Sequence, residues 1–211
     1  MPTPPRPEDT YALLSDDPPP GSTRERLIEK AIDLFYSQGF HATGLDQLLG
    51  EVGVTKQTFY NHFRSKDDLA VAAVERRDRR ELRALFEGIQ QRAGRDPKAS
   101  LLSIFDVVHE WFSDPSYIGC IFIHACAEFP SKHDPVHQAA AGHWTHARSA
   151  FLRWSTEAGA SDPEALTDEL IQLLQGAFTR RLMEGADDAA LVAQRSARRA
   201  VSEYVGDQST G

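Results

Sequence analysis

One segment of the chain, residues 43–69, constrains the fold more than any other. It packs a short apolar-faced helix, a glycine-containing turn and a second short helix into the sequence T-G-L-D-Q-L-L-G-E-V-G-V-T-K-Q-T-F-Y-N-H-F-R-S-K-D-D-L. The second helix would bury Phe59 and Phe63 and leave Lys56 and Tyr60 exposed. This layout is typical of a helix-turn-helix whose second helix reads the major groove of DNA.

Apolar side chains recur at helical spacing along the rest of the chain, and no strand pattern stands out. Ser22 or Thr23 is expected to begin the first helix and Gly39 to end it. The fourth helix contains the run E-R-R-D-R-R-E-L-R, whose alternating charge we interpret as a solvated face. We therefore expect an all-α fold. The helices predicted after the first cover about 45–51, 55–62, 66–93, 97–112, 119–129, 134–158, 163–184 and 188–205.

The composition supports a folded core and limits the classes of partner. Hydrophobic residues make up 41% of the 211 residues, and the formal net charge of −8 argues against non-specific coating by nucleic acid. The charge is uneven, because residues 22–80 carry ten basic and nine acidic side chains and are the least acidic part of the chain. A DNA-binding face in that segment is compatible with the overall charge.

Neither a targeting segment nor a membrane span is apparent in the sequence. The proline-rich, acidic N-terminus lacks the apolar core of a signal peptide, and no run of 18 apolar residues occurs. Cys120 and Cys126 lack zinc-site spacing and suit a reducing compartment. His133 and His137 are four residues apart, but no carboxylate or cysteine completes a metal-binding set. We expect a cytoplasmic protein without cofactor, metal or membrane partner.

The region around the helix-turn-helix resembles the TetR family of bacterial transcription regulators across about residues 23–69. The resemblance lies in A-I-D-L-F-Y-S-Q-G-F, T-G-L-D-Q-L-L-G-E-V-G-V, T-K-Q-T-F-Y-N-H-F and S-K-D-D-L taken together. The later stretch G-C-I-F-I-H-A-C-A-E-F-P is similar to one subgroup of these regulators. The sequence departs from the family pattern at Gly44, where a second threonine, a serine or another residue is often found, and at Gln57, where glycine or alanine is more usual.

The resemblance implies an all-α homodimer that regulates transcription, most often as a repressor. Three N-terminal helices would bind a DNA operator, and six further helices would bind a small effector and form the dimer, mainly through the eighth and ninth helices. The expected division of the chain is a disordered proline-rich tail over 1–21, a helix-turn-helix DNA-binding domain over 22–68, an effector-binding and dimerisation domain over 69–206, and a tail over 207–211.

The candidate DNA contacts follow from the chemistry of bases and phosphates. Lys56 suits guanine O6 and N7 or a phosphate, Gln57 suits adenine N6 and N7, and Tyr60 suits a thymine methyl or a phosphate. Polar groups at helix ends suit phosphates, although Thr43 is equally well explained as a simple helix cap. The predicted contacts are Thr43, Thr55, Lys56, Gln57, Thr58, Tyr60, Asn61, His62 and Lys66.

Aromatic and histidine side chains cluster in the fifth to eighth helices. A mostly apolar cavity with a few polar groups is what a ligand pocket requires, and plain core packing is the alternative for each residue. His124 lies in a strongly apolar helix and needs a buried partner or a ligand. We expect a largely apolar or aromatic effector that weakens operator binding. The candidate effector contacts are Trp111, Phe112, Phe122, His124, Trp144 and Phe178.

The eighth helix carries more apolar surface than one internal face requires, which favours dimerisation through Leu170, Leu174, Phe178 and Leu182. Three alternatives stay open at the level of sequence. Cys120, near a helix start, would act as a redox switch if its pKa were lowered. A thiol hydrolase would use Cys120 or Cys126 with a histidine. An interaction protein would keep the helix-turn-helix only as a scaffold.

Overall fold

The structure is a computed structural model, and it describes residues 19–206. Within this range the chain forms nine helices and no strand, which confirms the all-α prediction. None of these helices combines the length and the apolar character needed to cross a membrane. The expected tails, 1–21 and 207–211, lie outside the described residues apart from 19–21. The helices are α1 (Thr23–Gln38), α2 (Leu45–Val52), α3 (Lys56–Tyr60), α4 (Lys66–Ala93), α5 (Pro97–Ser113), α6 (Ile121–Glu128), α7 (Pro135–Glu157), α8 (Pro163–Glu184) and α9 (Ala189–Val205).

The helix ends follow from capping groups that are visible in the sequence. The hydroxyls of Ser22 and Ser65 accept backbone N–H groups in the first turns of α1 and α4, at 3.2 and 3.1 Å. Asp96 and Asp162 cap α5 and α8, and each is followed by a proline at the first helical position, where the missing N–H is harmless. The observed bounds of α4 and α8 match the predicted ones, whereas α3 is shorter than predicted.

The helices form two compact units. The N-terminal unit contains the described residues 19–81 and 120–144, and the C-terminal unit contains residues 82–119 and 145–206. The boundary between the units falls within α4 and α7 and does not follow the expected division at residues 68 and 69. As a result, α6 belongs to the same compact unit as α1, α2 and α3.

The core of the N-terminal unit is built from large apolar side chains of α1 to α4 and α6. The ring of Phe35 stacks on that of Phe40 at a centroid distance of 4.7 Å. Because the core is closely packed, each short helix can bury its apolar face in only one orientation. Fully buried members of this core include Leu27, Ile28, Phe35, Phe40, Leu48, Phe59, Leu69 and Phe122.

The charged run in α4 is only partly the solvated face that its sequence pattern predicts. Arg76 and Asp78 are buried, with 9% and 4% of their surface exposed. The guanidinium of Arg76 lies 3.3 Å from carboxylate oxygens of both Glu25 and Glu29 on α1. Buried charges persist when they are paired, so this part of α4 is fixed to α1 by ion pairs.

The C-terminal unit is built around α9, which packs against α8 and α5. Small side chains on α9 allow this close approach, and Ala190 and Ala197 are fully buried. The end of α4 approaches α5 closely at Gly88, where a Cβ atom would lie 2.9 Å from Cγ2 of Val107. The helices of this unit are therefore spaced by glycine and alanine at their contact points.

Candidate nucleic-acid interface

The turn between α2 and α3 sets the direction of the candidate reading helix. Gly53 adopts a left-handed conformation with φ of +73°, and its N–H donates to the carbonyl of Leu49 at 2.9 Å. Glycine reaches this conformation without the Cβ penalty of other residues. Leu48 of α2 and Phe59 of α3 are both completely buried, so each helix has one face anchored in the core.

Two threonines form the N-terminal cap of α3. The Thr55 hydroxyl accepts the N–H of Thr58 at 3.1 Å, and the two hydroxyl oxygens are 3.0 Å apart. Thr55 is therefore the N-terminal cap of this helix. Contact of Thr55 or Thr58 with phosphate remains a prediction.

The outer face of α3 and the residues after it are exposed and polar. Tyr60 has 54% of its surface exposed, and the remaining residues of this face are also exposed. Hydrogen-bonding groups able to meet base edges and phosphates are thus available to a ligand on one side of the helix. The exposed residues are Lys56, Gln57, Tyr60, Asn61 and His62.

Lys56 forms an ion pair that the sequence pattern does not indicate. Its Nζ lies 2.8 Å from Oδ1 of Asp46 on α2, and the hydrogen bond and charge of Asp46 raise the pKa of the Lys56 ammonium. Both side chains are mostly exposed, so the pair contributes little to stability in water. A phosphate or a guanine O6 would compete with Asp46 for the same ammonium group.

The predicted phosphate contact of Thr43 is wrong. Thr43 is completely buried, and its hydroxyl donates to the carbonyl of Gly39 at 2.7 Å. The alternative of a helix cap is also wrong, because Gly44 occupies the cap position of α2 and no side chain caps it. The side chain of Thr43 instead closes the turn between α1 and α2.

The predicted phosphate contact of Lys66 conflicts with the position of its ammonium group. Nζ of Lys66 donates to the carbonyls of Phe40 and Thr43, at 2.8 and 3.0 Å. These bonds direct the half-buried side chain into the α1–α2 turn. Lys66 therefore acts within the protein, and its charge is engaged by backbone carbonyls.

Comparison with known proteins supplies the family. A model of the tetR family of bacterial regulatory proteins matches residues 27–73, and a model of a tetracyclin repressor-like C-terminal domain matches residues 97–197. The two matches fall on the helix-turn-helix and on the helices that follow it. The chain belongs to the TetR family.

Similar TetR-family proteins include both sequence relatives and solved structures. The regulator TcmR of Streptomyces glaucescens is 34% identical over 41% of this chain and 37% of its own length. The repressor NemR of Escherichia coli is 30% identical over 50% of this chain and 53% of its own length. In neither relative does the matched segment reach two thirds of the length. A crystal structure of a TetR regulator from Streptomyces avermitilis has a TM-score of 0.75 and 26% identity, and covers 87% of this chain and 98% of that one.

The six predicted effector contacts of this TetR-family chain are divided equally between the two units. Phe122, His124 and Trp144 belong to the N-terminal unit, and the other three belong to the C-terminal unit. Phe112 and Phe122 are completely buried in packing contacts, and Phe112 meets Phe178 edge to face at 5.2 Å. His124, Trp111 and Trp144 are half-buried. The assignment of an effector to these residues remains a prediction.

Sequence reasoning missed the buried histidine of this region. His143 of α7 is 8% exposed, and its Nδ1 lies 2.7 Å from Oδ1 of Asp78 on α4. The ring of Phe122 stacks on His143 at 3.8 Å. The charge alternation around Asp78 suggested solvent exposure, and this concealed the pair.

The predicted dimer contacts on α8 require a correction. Three of the predicted residues are buried inside the C-terminal unit: Leu170, Leu174 and Phe178. They pack α8 against the rest of this unit and do not form its accessible face. Leu182 is 44% exposed. The accessible face lies along a groove of about 650 Å³ between α8 and α9. Its lining includes Glu169, Leu173, Gly176, Ala177, Arg180, Val192, Ala193, Arg199, Ala200 and Glu203.

The cysteines do not have the lowered pKa that a redox switch at Cys120 requires. Both are free thiols. Burial, together with the charge of Glu81, raises the pKa of the Cys120 thiol to about 12, and burial also raises the pKa of the half-buried Cys126. Within residues 19–206, no group of three histidine, cysteine or acidic side chains is arranged to hold a metal ion.

Proposed function

We propose that this protein is a sequence-specific DNA-binding transcription regulator that reads the major groove with α3. The observation that carries the proposal is the division of α3 into two faces. Phe59 is completely buried, while Lys56 and Gln57 on the first turn are exposed. A helix with one anchored face and one polar face is what major-groove reading requires. The similarity of the chain to the regulators TcmR and NemR supports the same function.

The proposed regulator acts as a homodimer on a two-fold symmetric operator. A single reading helix covers too few base pairs to specify a site, and a two-fold operator needs a two-fold reader. The groove between α8 and α9 suits a second copy, because Gly176 and Ala193 permit close approach of another helix. Opposite charges such as Glu169 and Arg180 line the same groove and would pair reciprocally across a two-fold axis.

The proposed control is release of the operator by a small organic effector, so that the protein acts as a repressor. The aromatic character of the six candidate residues favours a largely apolar or aromatic compound. Coupling between effector and operator sites is typically about 1–3 kcal/mol, which corresponds to a change in affinity of about 5–150-fold.

A thiol-based response is the second candidate function. The similarity to NemR, whose reduced form has been crystallised, is the observation that favours it. Of the two thiols, Cys126 is the more accessible, whereas Cys120 is buried and has the more strongly raised pKa. A thiol hydrolase is disfavoured because neither thiol has the lowered pKa of an activated nucleophile. Loss of DNA binding on peroxide treatment, abolished by Cys126→Ser, would identify the redox response.

DNA binding is tested with a duplex selected from a random library by the wild-type protein. Lys56→Ala and Tyr60→Ala should lose binding while remaining folded, and Lys56→Ala should lower the slope of affinity against salt by about one if Lys56 contacts a phosphate. Lys30→Ala is the matched control, because it removes the same charge from α1. Gln57→Ala should relax base preference at one position by about 1–3 kcal/mol. Unchanged affinity of both the Lys56 and Tyr60 variants would refute the reading face.

The dimer is tested by light scattering at micromolar concentration. Gly176→Arg should give a folded monomer, because open space surrounds the position of a Cβ at Gly176 in the single chain. Leu174→Arg should instead unfold or aggregate, because Leu174 is buried. Glu87→Arg on the exposed face of α4 is the control for added charge and should leave the mass unchanged. A monomeric wild type would contradict the proposed assembly.

A further inference from the structure

The carboxylate of Glu128, the last residue of α6, is hydrogen-bonded to the turn between α1 and α2. Its Oε1 accepts the N–H of Phe40 at 2.9 Å, and its Oε2 accepts the N–H of His41 at 2.7 Å. Oε2 also lies 3.0 Å from Nδ1 of His41. One side chain thus holds two consecutive amides that are 88 and 87 residues away in the sequence. Hydrogen bonds to a charged acceptor are stronger than those between neutral groups.

The turn is shaped to receive this carboxylate. Gly39 has φ of +96°, and a Cβ atom there would lie 3.0 Å from Oε1 of Glu128. Both the backbone conformation and the close approach therefore favour glycine at this position. Beside the carboxylate, the ring of Phe129 stacks on the ring of His41 at 4.7 Å and meets Phe40 edge to face at 5.7 Å.

The carbonyl groups of the same turn are bound by Lys66. Its Nζ donates to the carbonyls of Phe40 and Thr43. An anion on the amide side and a cation on the carbonyl side therefore fix the backbone between α1 and α2. The turn connects the first two helices of the DNA-binding segment, and α2 in turn leads to α3.

Glu128 does not serve the stability of α6 itself. A carboxylate at the C-terminus of a helix opposes the helix dipole. Burial alone would raise the pKa of Glu128, but the hydrogen bonds from His41 and Phe40 lower it below its ordinary value. The contacts that favour the charged form are therefore those to the turn.

We propose that Glu128 is a positioning residue for DNA binding, which fixes the α1–α2 turn and thereby the orientation in which α2 and α3 meet the groove. This proposal rests on the proposed DNA-binding function. It assigns to α6 a direct hold on the DNA-binding helices within the N-terminal unit. Loss of the carboxylate should weaken operator binding in a protein that is still folded.

The direction in which DNA affinity changes when a negative charge is removed tests this proposal. Glu128→Gln and the control Glu51→Gln each remove one negative charge from the N-terminal unit, and Glu51 on α2 makes an ion pair with Lys30 at 3.2 Å. On charge alone, both substitutions should strengthen binding to the polyanionic duplex. If Glu128 has a positioning role, Glu128→Gln alone should weaken binding to the duplex. We expect affinity for the duplex selected by the wild type to fall about tenfold in this variant and to stay equal or rise in Glu51→Gln.

Hydrogen exchange on the peptide that contains residues 39–43 supplies the second measurement, at a temperature where circular dichroism shows both variants folded. The amides of Phe40 and His41 should exchange faster in Glu128→Gln than in wild type. Should Glu128→Gln fail to fold, Glu128→Asp takes its place, because it keeps the charge and withdraws the oxygens from the turn. Faster exchange without loss of affinity, or tighter binding by both glutamine variants, would overturn the proposal. A wild type that enriches no duplex would overturn the DNA-binding function together with it.

Discussion

The imidazole of His143 is hydrogen-bonded to the carboxylate of Asp78 in the interior of the N-terminal unit, with Nδ1 2.7 Å from Oδ1. Both side chains are buried, and Phe122 covers the imidazole in a parallel stack. A residue from α4, one from α6 and one from α7 are thereby joined. The polar pair is enclosed by apolar packing. If one partner is lost, the other has neither a protein group nor water to hydrogen-bond with.

Asp78→Ala should lower the free energy of unfolding by about 1–3 kcal/mol, because it leaves the buried imidazole of His143 without its hydrogen-bond partner. Asp33→Ala on the exposed face of α1 is the matched control and should change it by less than about 0.5 kcal/mol. Urea unfolding followed by circular dichroism measures both. Equal midpoints for the two variants would show that the pair makes no net contribution.

Thr43→Val should destabilise the protein by about 1 kcal/mol and leave the salt dependence of DNA binding unchanged. The isosteric valine removes the hydrogen bond to the Gly39 carbonyl, and the buried side chain has no access to a phosphate. Thermal unfolding and fluorescence anisotropy with the selected duplex measure the two quantities. A reduced salt slope of DNA binding would instead restore the phosphate contact that the structure argues against.

Two glycines in helices should respond in opposite directions to the same change. Gly88→Ala should destabilise by about 1–3 kcal/mol, because the added Cβ meets both methyl groups of Val107 at 2.9 and 3.2 Å. Gly176→Ala meets nothing within 4 Å and should stabilise the monomer by about 0.5–1 kcal/mol through helix propensity. Midpoints of urea unfolding at low protein concentration compare the two variants. A Gly88→Ala variant as stable as Gly176→Ala would show that α4 and α5 adjust their spacing.

The acid stability of the protein should depend on Glu128. Its folded pKa is below the ordinary value of 4.5, so it contributes stability above that pH and loses the contribution as the pH falls toward the folded pKa. Between about pH 6 and pH 3, wild type should therefore lose more free energy of unfolding than Glu128→Gln. Denaturant titrations at the two ends of this range measure the difference. Parallel losses in both proteins would indicate that the carboxylate is not stabilised by the turn.

The helix boundaries were the most predictable part of the molecule, because caps are local. Ser22, Asp162 and Gly185 act on backbone groups within a few residues of themselves, so their effect is visible in a short stretch of sequence. The anchored face of α3 was predictable for the same reason, since Phe59 follows the helical period.

Side chains that act across long sequence separations were not predictable. Lys66 and Thr43 appear as surface groups at helix starts, yet both are engaged by the α1–α2 turn. Arg76 and Asp78 have the alternating pattern of a solvated face, although ion pairs and a histidine bury them. Charge pattern alone does not distinguish a paired buried charge from an exposed one. The hold of Glu128 on residues far earlier in the chain leaves no local signature.

The two cysteines differ in solvent accessibility, and this difference gives the protein one preferred site for attaching a dye. The chain contains only Cys120 and Cys126, and the Cys120 thiol is buried with a pKa of about 12. Alkylating reagents attack thiolates that solvent reaches, so near neutral pH a maleimide dye should attach to Cys126 first. The dye would sit on α6, two residues before Glu128, in the unmodified sequence. Its fluorescence would report movements of α6 as DNA or a candidate effector is added.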